Sequence, residues 1–491
     1  MFKKFLLLSL IALSFAACTE DVMDDINKDE ANPAVDIVDA KFQITDAIMS
    51  TAYSTYGGAY AWYVSSYTEQ LFGTGDNQLR KAELRNSNET AASTTFNNEW
   101  NATYTNLMNI KQILDKTGKG KINEGHNDVA GIANVLWVLN FEALTDLHGD
   151  IPYSQALQGL DNMQPDLDSQ LDIYADLLKR IEDAIKAFDM AIANEESNVG
   201  SQDILYGGDC KKWKALAYAV KARLLLNQSA VKADYDGVIE AAQTAVDKGF
   251  SPFAISAFNG VDCDNPWSAY FWSRCYVGSC KTVVDLMNER ADSRGSYNLP
   301  LFDKNVVGEP GNEEYARAIG TLNYPGWMDN GAQVQNVFST HELYFILAEA
   351  KARKNIDATA EFEKAITDAF KDWADADPYG YTNADDAADY IASLGTPTLK
   401  EIMIQKYIAS ARDEQIQTYN DIRRCKALGE EFITLTNPKN IQGGANRWPL
   451  RLPYGNSDVI SNPKVAAAFG TGADAGAYIF TEKCRIYGGS R

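Results

Sequence analysis

The stretch Asn265–Tyr276, NPWSAYFWSRCY, holds the densest set of side chains that could act on a ligand. Trp267, Tyr270 and Trp272 offer flat apolar faces on which the C–H faces of a sugar ring can stack. Asn265 and Arg274 offer hydrogen-bonding groups for its hydroxyls. Trp327, in NYPGWMDN, is a second candidate, because Pro325 and Gly326 place it at a turn where burial is harder. Asp76 and Asn77 are weaker choices. The alternative for every one of these rings is that it pins its loop to the body of the protein, and spacing does not choose between the two. Cys263, Cys275 and Cys280 are close enough in sequence for a bridge that stiffens the loop and lowers the ordering cost of binding. The six cysteines after Cys18 nevertheless permit fifteen connectivities.

Catalysis finds fewer ingredients. The chain has 3 histidines, His126, His148 and His341. His341-Glu342 starts a zinc-protease pattern, but Phe345 stands where the second histidine belongs. No GxSxG elbow occurs, and Gly73-x-Gly75 lacks the context of a nucleotide-binding loop. With 67 acidic residues a carboxylate pair can be found near any cleft, and sequence does not give the separation that glycoside hydrolysis requires. Zinc finds no CxxC pairs or neighbouring histidines. The acidic stretch Asp372–Asp389 lacks the ligand spacing of an EF-hand and reads as a solvated face. A binding protein without cofactor or metal is the expectation, not an enzyme.

The elements that must position these rings are helical. In Asn127–Leu157, NDVAGIANVLWVLNFEALTDLHGDIPYSQAL, apolar residues recur at three- and four-residue spacing from Val129 to Leu147. Asn127 or Asp128 can cap this helix, and Gly149 and Pro152 end it. Similar periods run through Trp100–Leu114, Leu171–Ile192, Trp213–Leu224, Val238–Val246, His341–Trp373 and Leu399–Leu428. Trp100, Trp137, Trp213 and Trp373 sit on apolar faces and are expected in the core. Helix, turn, helix with alanines between large apolar residues is the tetratricopeptide idea with irregular spacing. The expected fold is mainly all-α: a tetratricopeptide-like array of helical hairpins with long irregular loop insertions and few short strands. The insertions fall near 73–98, 249–331 and 438–476 of one domain spanning 41–491.

Net charge is −22, which argues against nucleic acid, since phosphate binding needs clustered Lys and Arg. Met1-Phe-Lys-Lys, the apolar run to Ala17 and the small residues before Cys18 read as a signal peptide over 1–17. An acidic tether over 18–40 follows it. Placement of Cys18 after Ala16-Ala17 resembles a bacterial lipobox, and Glu20, Asp21, Asp24 and Asp25 resemble the surface-export signal of Bacteroidetes lipoproteins.

Five separated pieces together resemble the SusD/RagB family of nutrient-binding outer-membrane lipoproteins. They are the lipobox, HGDIPYSQAL at His148–Leu157, LAEAKAR at Leu347–Arg353, IQKYIA continuing to YNDIRRCKAL up to Leu428, and RWPLRLPYGNSDVISNP at Arg447–Pro463. The resemblance implies a lipid-anchored protein on the outer membrane that captures oligosaccharides, or peptides in the RagB branch. It also implies delivery of that cargo to a SusC-like TonB-dependent transporter. Asp421, Arg423 and Arg424 within the matching pieces read as buried scaffolding. A helical-repeat scaffold that binds no small ligand is the alternative from a different class.

Overall fold

A computed structural model describes residues 37–74, 78–274, 277–294, 324–436 and 448–491. Cys18 with its leader and most of the tether, Asp76, Asn77, Cys275 and the side chain of Arg274 lie outside the described residues. The principal helices, numbered along the chain, are α1 (Ala59–Tyr67), α2 (Asn97–Thr117), α3 (Asn127–His148), α4 (Gln170–Ala193), α5 (Cys210–Asn227) and α6 (Tyr235–Asp247). They continue with α7 (Pro266–Arg274), α8 (Thr340–Arg353), α9 (Thr359–Ala376), α10 (Leu399–Ala409) and α11 (Gln415–Ala427). Each helix from α2 to α6 packs on the next; α6 then packs on α8, and α8 on α9 and α10. This is the expected stack of helical hairpins, in which neighbours bury one another's apolar faces. Short strands join loops in antiparallel pairs: β1 (Leu71–Gly73) with β5 (Val277–Ser279), β2 (Ile151–Pro152) with β3 (Leu167–Asp168), and β4 (Phe253–Ile255) with β6 (Gln335–Phe338).

Helix α3 is the centre of the array, with Trp100, Trp137, Trp213 and Trp373 all buried around the stack as expected. Its N-terminus is capped in part as expected, Asp128 Oδ1 accepting from Val129 N–H at 2.9 Å. His126 is the N-cap and makes no side-chain cap bond. Instead the Glu196 carboxylate, from the chain beyond α4, accepts from the backbone N–H of Asn127 at 2.7 Å and of Asp128 at 3.1 Å. Asp128 in turn accepts from Asn198 N–H at 2.7 Å. At the other end Gly149 adopts φ +81°, a left-handed conformation that glycine reaches without a Cβ penalty, so the chain can turn sharply into β2.

The region Leu399–Leu428, expected as one helix, is two. Between α10 and α11 the chain leaves the helical path, and Asp413 and Glu414 turn their carboxylates to β6 and α8. Asp413 accepts from Asn336 N–H at 3.0 Å, and Glu414 from Ser339 N–H at 2.7 Å. The break thus satisfies a backbone donor of β6 and, at Ser339, one at the start of α8 that has no partner inside the helix. The expected scaffold residues are buried. Arg424 pairs bidentately with Glu349, at 2.6 and 2.8 Å, and also with Asp421 at 2.6 Å. Arg423 instead donates to the carbonyl oxygens of Asp146 and Leu450. Burial by itself would raise the Glu349 carboxyl, but Arg424, Arg353 and Lys406 around it hold it well below the usual range.

The three insertions carry more regular structure than expected. Helices at Gln78–Glu83 and Ser87–Thr90 occupy the first, α7, Lys281–Glu289, β4 and β5 the second, and Asn456–Ser461 and Pro463–Phe469 the third. Each is too short for its apolar period to stand out. Cys263 and Cys280 are free thiols, the first exposed and the second buried, so no bridge joins them.

Candidate functional site

A groove of about 500 Å³ opens between α1, the start of α2 and α7. Tyr53 and Ser54 line it from a wide π turn at Thr51–Tyr56, a backbone irregularity of the kind that often marks functional sites. Trp62 of α1 and Tyr270 of α7 form its aromatic wall, stacked with centroids 3.9 Å apart and planes 17° from parallel. The turn before α1 meets the start of α7 closely because Gly57 has no side chain: a Cβ there would lie 2.5 Å from the Pro266 ring. On the opposite side Asn98, Glu99 and Ala102 project from the first turns of α2, and Gln78 and Ser273 complete the polar rim.

Partial burial raises the pKa of Glu99, whose carboxylate accepts from its own N–H and that of Ala59 at the start of α1. A carboxylate placed there is favoured by the positive end of the α1 dipole. Burial also raises the Tyr53 phenol, with Cys263 and Asp264 adding to the shift. Among the described lining residues Glu99 is the only carboxylate, and neither histidine nor cysteine accompanies it. Among the described residues the groove shows no carboxylate pair of the kind that glycoside hydrolysis uses. It offers stacking surface, amides and hydroxyls, the chemistry of holding a polar ligand without transforming it.

The residues singled out in the sequence fall at different depths. Tyr270 lies in the groove wall but is buried, its ring covered by Trp62. Trp272, two residues on, is 57% exposed and faces away from the core. Asn265 is buried: its Oδ1 accepts from Trp267 N–H at 2.9 Å and its Nδ2 donates to Gln333 O at 3.3 Å, so it caps the start of α7. Trp267 is 1% and Trp327 0% exposed, packed edge to face at 5.8 Å beneath the groove. The expectation that the Pro325-Gly326 turn presents Trp327 at the surface is corrected: the turn folds inward, and Gln333 Nε2 donates to the Trp327 carbonyl at 2.7 Å. Tyr53, Trp62, Asn98 and Glu99 were not singled out. Only Trp62 had a local signal, the run AYAWYVSSY, whose helix is buried at every position except Trp62.

Comparison with known proteins gives a consistent family. Residues 32–454 match the SusD-like family described as "Starch-binding associating with outer membrane". The solved structure of a SusD/RagB family protein from Bacteroides thetaiotaomicron is 31% identical, with a TM-score of 0.81 over 92% of this chain and 100% of that one. A chitin-binding protein is 20% identical with a TM-score of 0.71, covering 87% of this chain and 94% of its own. A SusD homologue from Bacteroides fragilis, at 19% identity, has a TM-score of 0.67 over 87% of this chain and 95% of its own. These last two share the fold. No match is found among curated proteins.

Proposed function

This chain belongs to the SusD-like family of nutrient-binding outer-membrane proteins, and on that footing we propose that it captures oligosaccharides in the groove between α1, α2 and α7. It is a binding protein, not an enzyme. The observation that carries the glycan reading is the Trp62–Tyr270 stack in the groove wall. Trp62, held rigid by the buried Tyr270 ring behind it, presents an apolar face at little entropic cost, and Asn98, Gln78 and Ser273 around it supply donors and acceptors for hydroxyls. The starch named in the family description and the chitin bound by a structural relative are both glycans, in keeping with this reading.

Lipidation at Cys18 moors the protein to the outer membrane, and the partner that receives the cargo is a SusC-like TonB-dependent transporter. The lipobox resemblance supports the anchor, and the family's association with the outer membrane is in keeping with the partner.

Isothermal titration of the chain against oligosaccharide and peptide panels tests the reading, with Trp62→Ala as the control. Binding of at least one glycan, weakened tenfold or more by the substitution (about 1.4 kcal/mol), is the expected result. Binding of peptides alone would return the chain to the peptide branch of its family.

A further inference from the structure

A second groove, of about 640 Å³, runs along the other flank of α2. We propose that it is a second subsite that holds the distal part of the same oligosaccharide chain; this rests on the glycan reading of the first groove. The two sites share one helix as their divide. Asn98 and Ala102 face the first groove, while Asn101 and Thr105, three residues further along, face the second. Residues at that spacing are neighbours on a helix surface. Asn98, Asn101 and Thr105 are all exposed, so the ridge between the grooves is open to a ligand crossing it. From Asn98 to Gln112 the helix rises roughly 20 Å, the span of an oligomer and not of a single sugar.

The lining of the second groove repeats the chemistry of the first. Tyr104 and Met108 give it an apolar floor, and Asn101, Asn109, Gln158 and Asn162 are among the amides at its walls. Asp458 is the one charged side chain among its described lining residues, and it accepts from Trp100 Nε1 at 2.9 Å. A groove of amides over apolar surface suits a neutral, hydroxyl-rich chain.

The outer wall is the loop after β2, and it is braced at both ends. Asp168 accepts from the backbone N–H of Tyr153 at 3.0 Å and of Ser154 at 2.8 Å. Asn462 Nδ2 donates to Pro165 O at 2.8 Å, and Gln164 Nε2 to Ser461 O at 3.2 Å. Between these braces Met163 is 70% exposed and Leu160 90% exposed. Met163, which lines the groove, offers the C–H faces of a sugar an apolar edge.

The test is titration of the full chain with malto- and chito-oligosaccharides of graded length, dimer to octamer. Thr105→Arg and Met163→Asp are the variants: both positions are exposed, and neither lines the first groove. For a series that binds, affinity rises about tenfold or more from short to long members, because the second contact is intramolecular. Each variant removes that rise and leaves the shortest binding member within about twofold of the unaltered chain. Equal affinity at all lengths, or an unchanged rise in both variants, overturns the second subsite. Should the variants keep the rise but weaken association with isolated outer membranes, this face belongs to a membrane partner and the proposal falls. Binding of neither series by the unaltered chain overturns the glycan reading of the first groove, a different failure from loss of length dependence.

Discussion

Arg223 and Glu342, on α5 and α8, meet in the core as a fully buried bidentate pair, Nε to Oε1 at 2.8 Å and Nη2 to Oε2 at 2.6 Å. The same guanidinium lies 3.6 Å from Glu142 of α3 and donates to the Val337 carbonyl at 2.8 Å. One cation therefore joins three layers of the helical stack to β6, and it sits 4.0 Å over the Phe338 ring. Burial opposes its charge, but Glu342 and Glu142 together hold its pKa above the usual value. Arg223→Met is expected to cost about 3–5 kcal/mol, because it leaves two buried carboxylates without a counter-charge. Urea denaturation measures this; a loss below about 1 kcal/mol would mean that the buried ion pair adds little to the stability of the stack.

His148, at the end of α3, sets a pH dependence. It is enclosed by the rings of Tyr60, Trp100 and Tyr454, with Nε2 3.1 Å from the Tyr60 hydroxyl. Burial, helped by nearby Arg451, lowers its pKa to about 3. The unfolded chain takes up that proton below about pH 6.5, whereas the folded chain does not. The stability His148 contributes as a neutral side chain is thus present above that pH and lost as pH falls toward about 3. Relative to His148→Gln, the native protein should lose about 1.4 kcal/mol per pH unit through the lower part of this window. Parallel stability curves for the two proteins between about pH 4 and 7 would show that His148 titrates normally in the fold.

Gly131 decides how closely α3 and α4 pack. A Cβ at this position would stand 2.5 Å from the ring of Phe188, itself fully buried. Alanine gains about 1 kcal/mol over glycine in helix propensity. Forcing its methyl against the ring costs about 1–3 kcal/mol, so Gly131→Ala should be net destabilising. Combining it with Phe188→Leu tests the cause: the double variant should be more stable than the sum of the single effects predicts, and simple additivity would place the strain elsewhere.

The array was legible because α3 and α4 are long: 22 and 24 residues give an apolar period several turns in which to repeat. Helix α7 has 9 residues with aromatics on several faces, so its sequence looks like a loop rich in rings. The split between α10 and α11 escaped notice for a different reason. Asp413 and Glu414 end α10 to serve β6 and α8, partners more than 70 residues away. The groove depends on distance in sequence too. Trp62 meets Tyr270 across the fold, and nothing local to either residue announces the other. Composition found half of the pair, Tyr270, and tertiary packing supplied the rest.

Trp272 and Trp327 looked alike as candidates and should behave oppositely. Trp327 is fully buried against Trp267, and deleting its ring leaves a large cavity in the body that supports α7. Trp327→Ala should cost about 3–5 kcal/mol in stability. Any effect on ligand binding would then arise from displacement of Tyr270, which α7 carries three residues beyond Trp267. Trp272 is 57% exposed, so Trp272→Ala should leave stability within about 0.5 kcal/mol. If Trp272 touches ligand, its loss appears in titration alone, with the unfolding midpoint unchanged. Thermal unfolding and titration run on both variants separate the roles: equal stability losses would mean that Trp272 is buried in solution and that this part of α7 packs differently from the arrangement described.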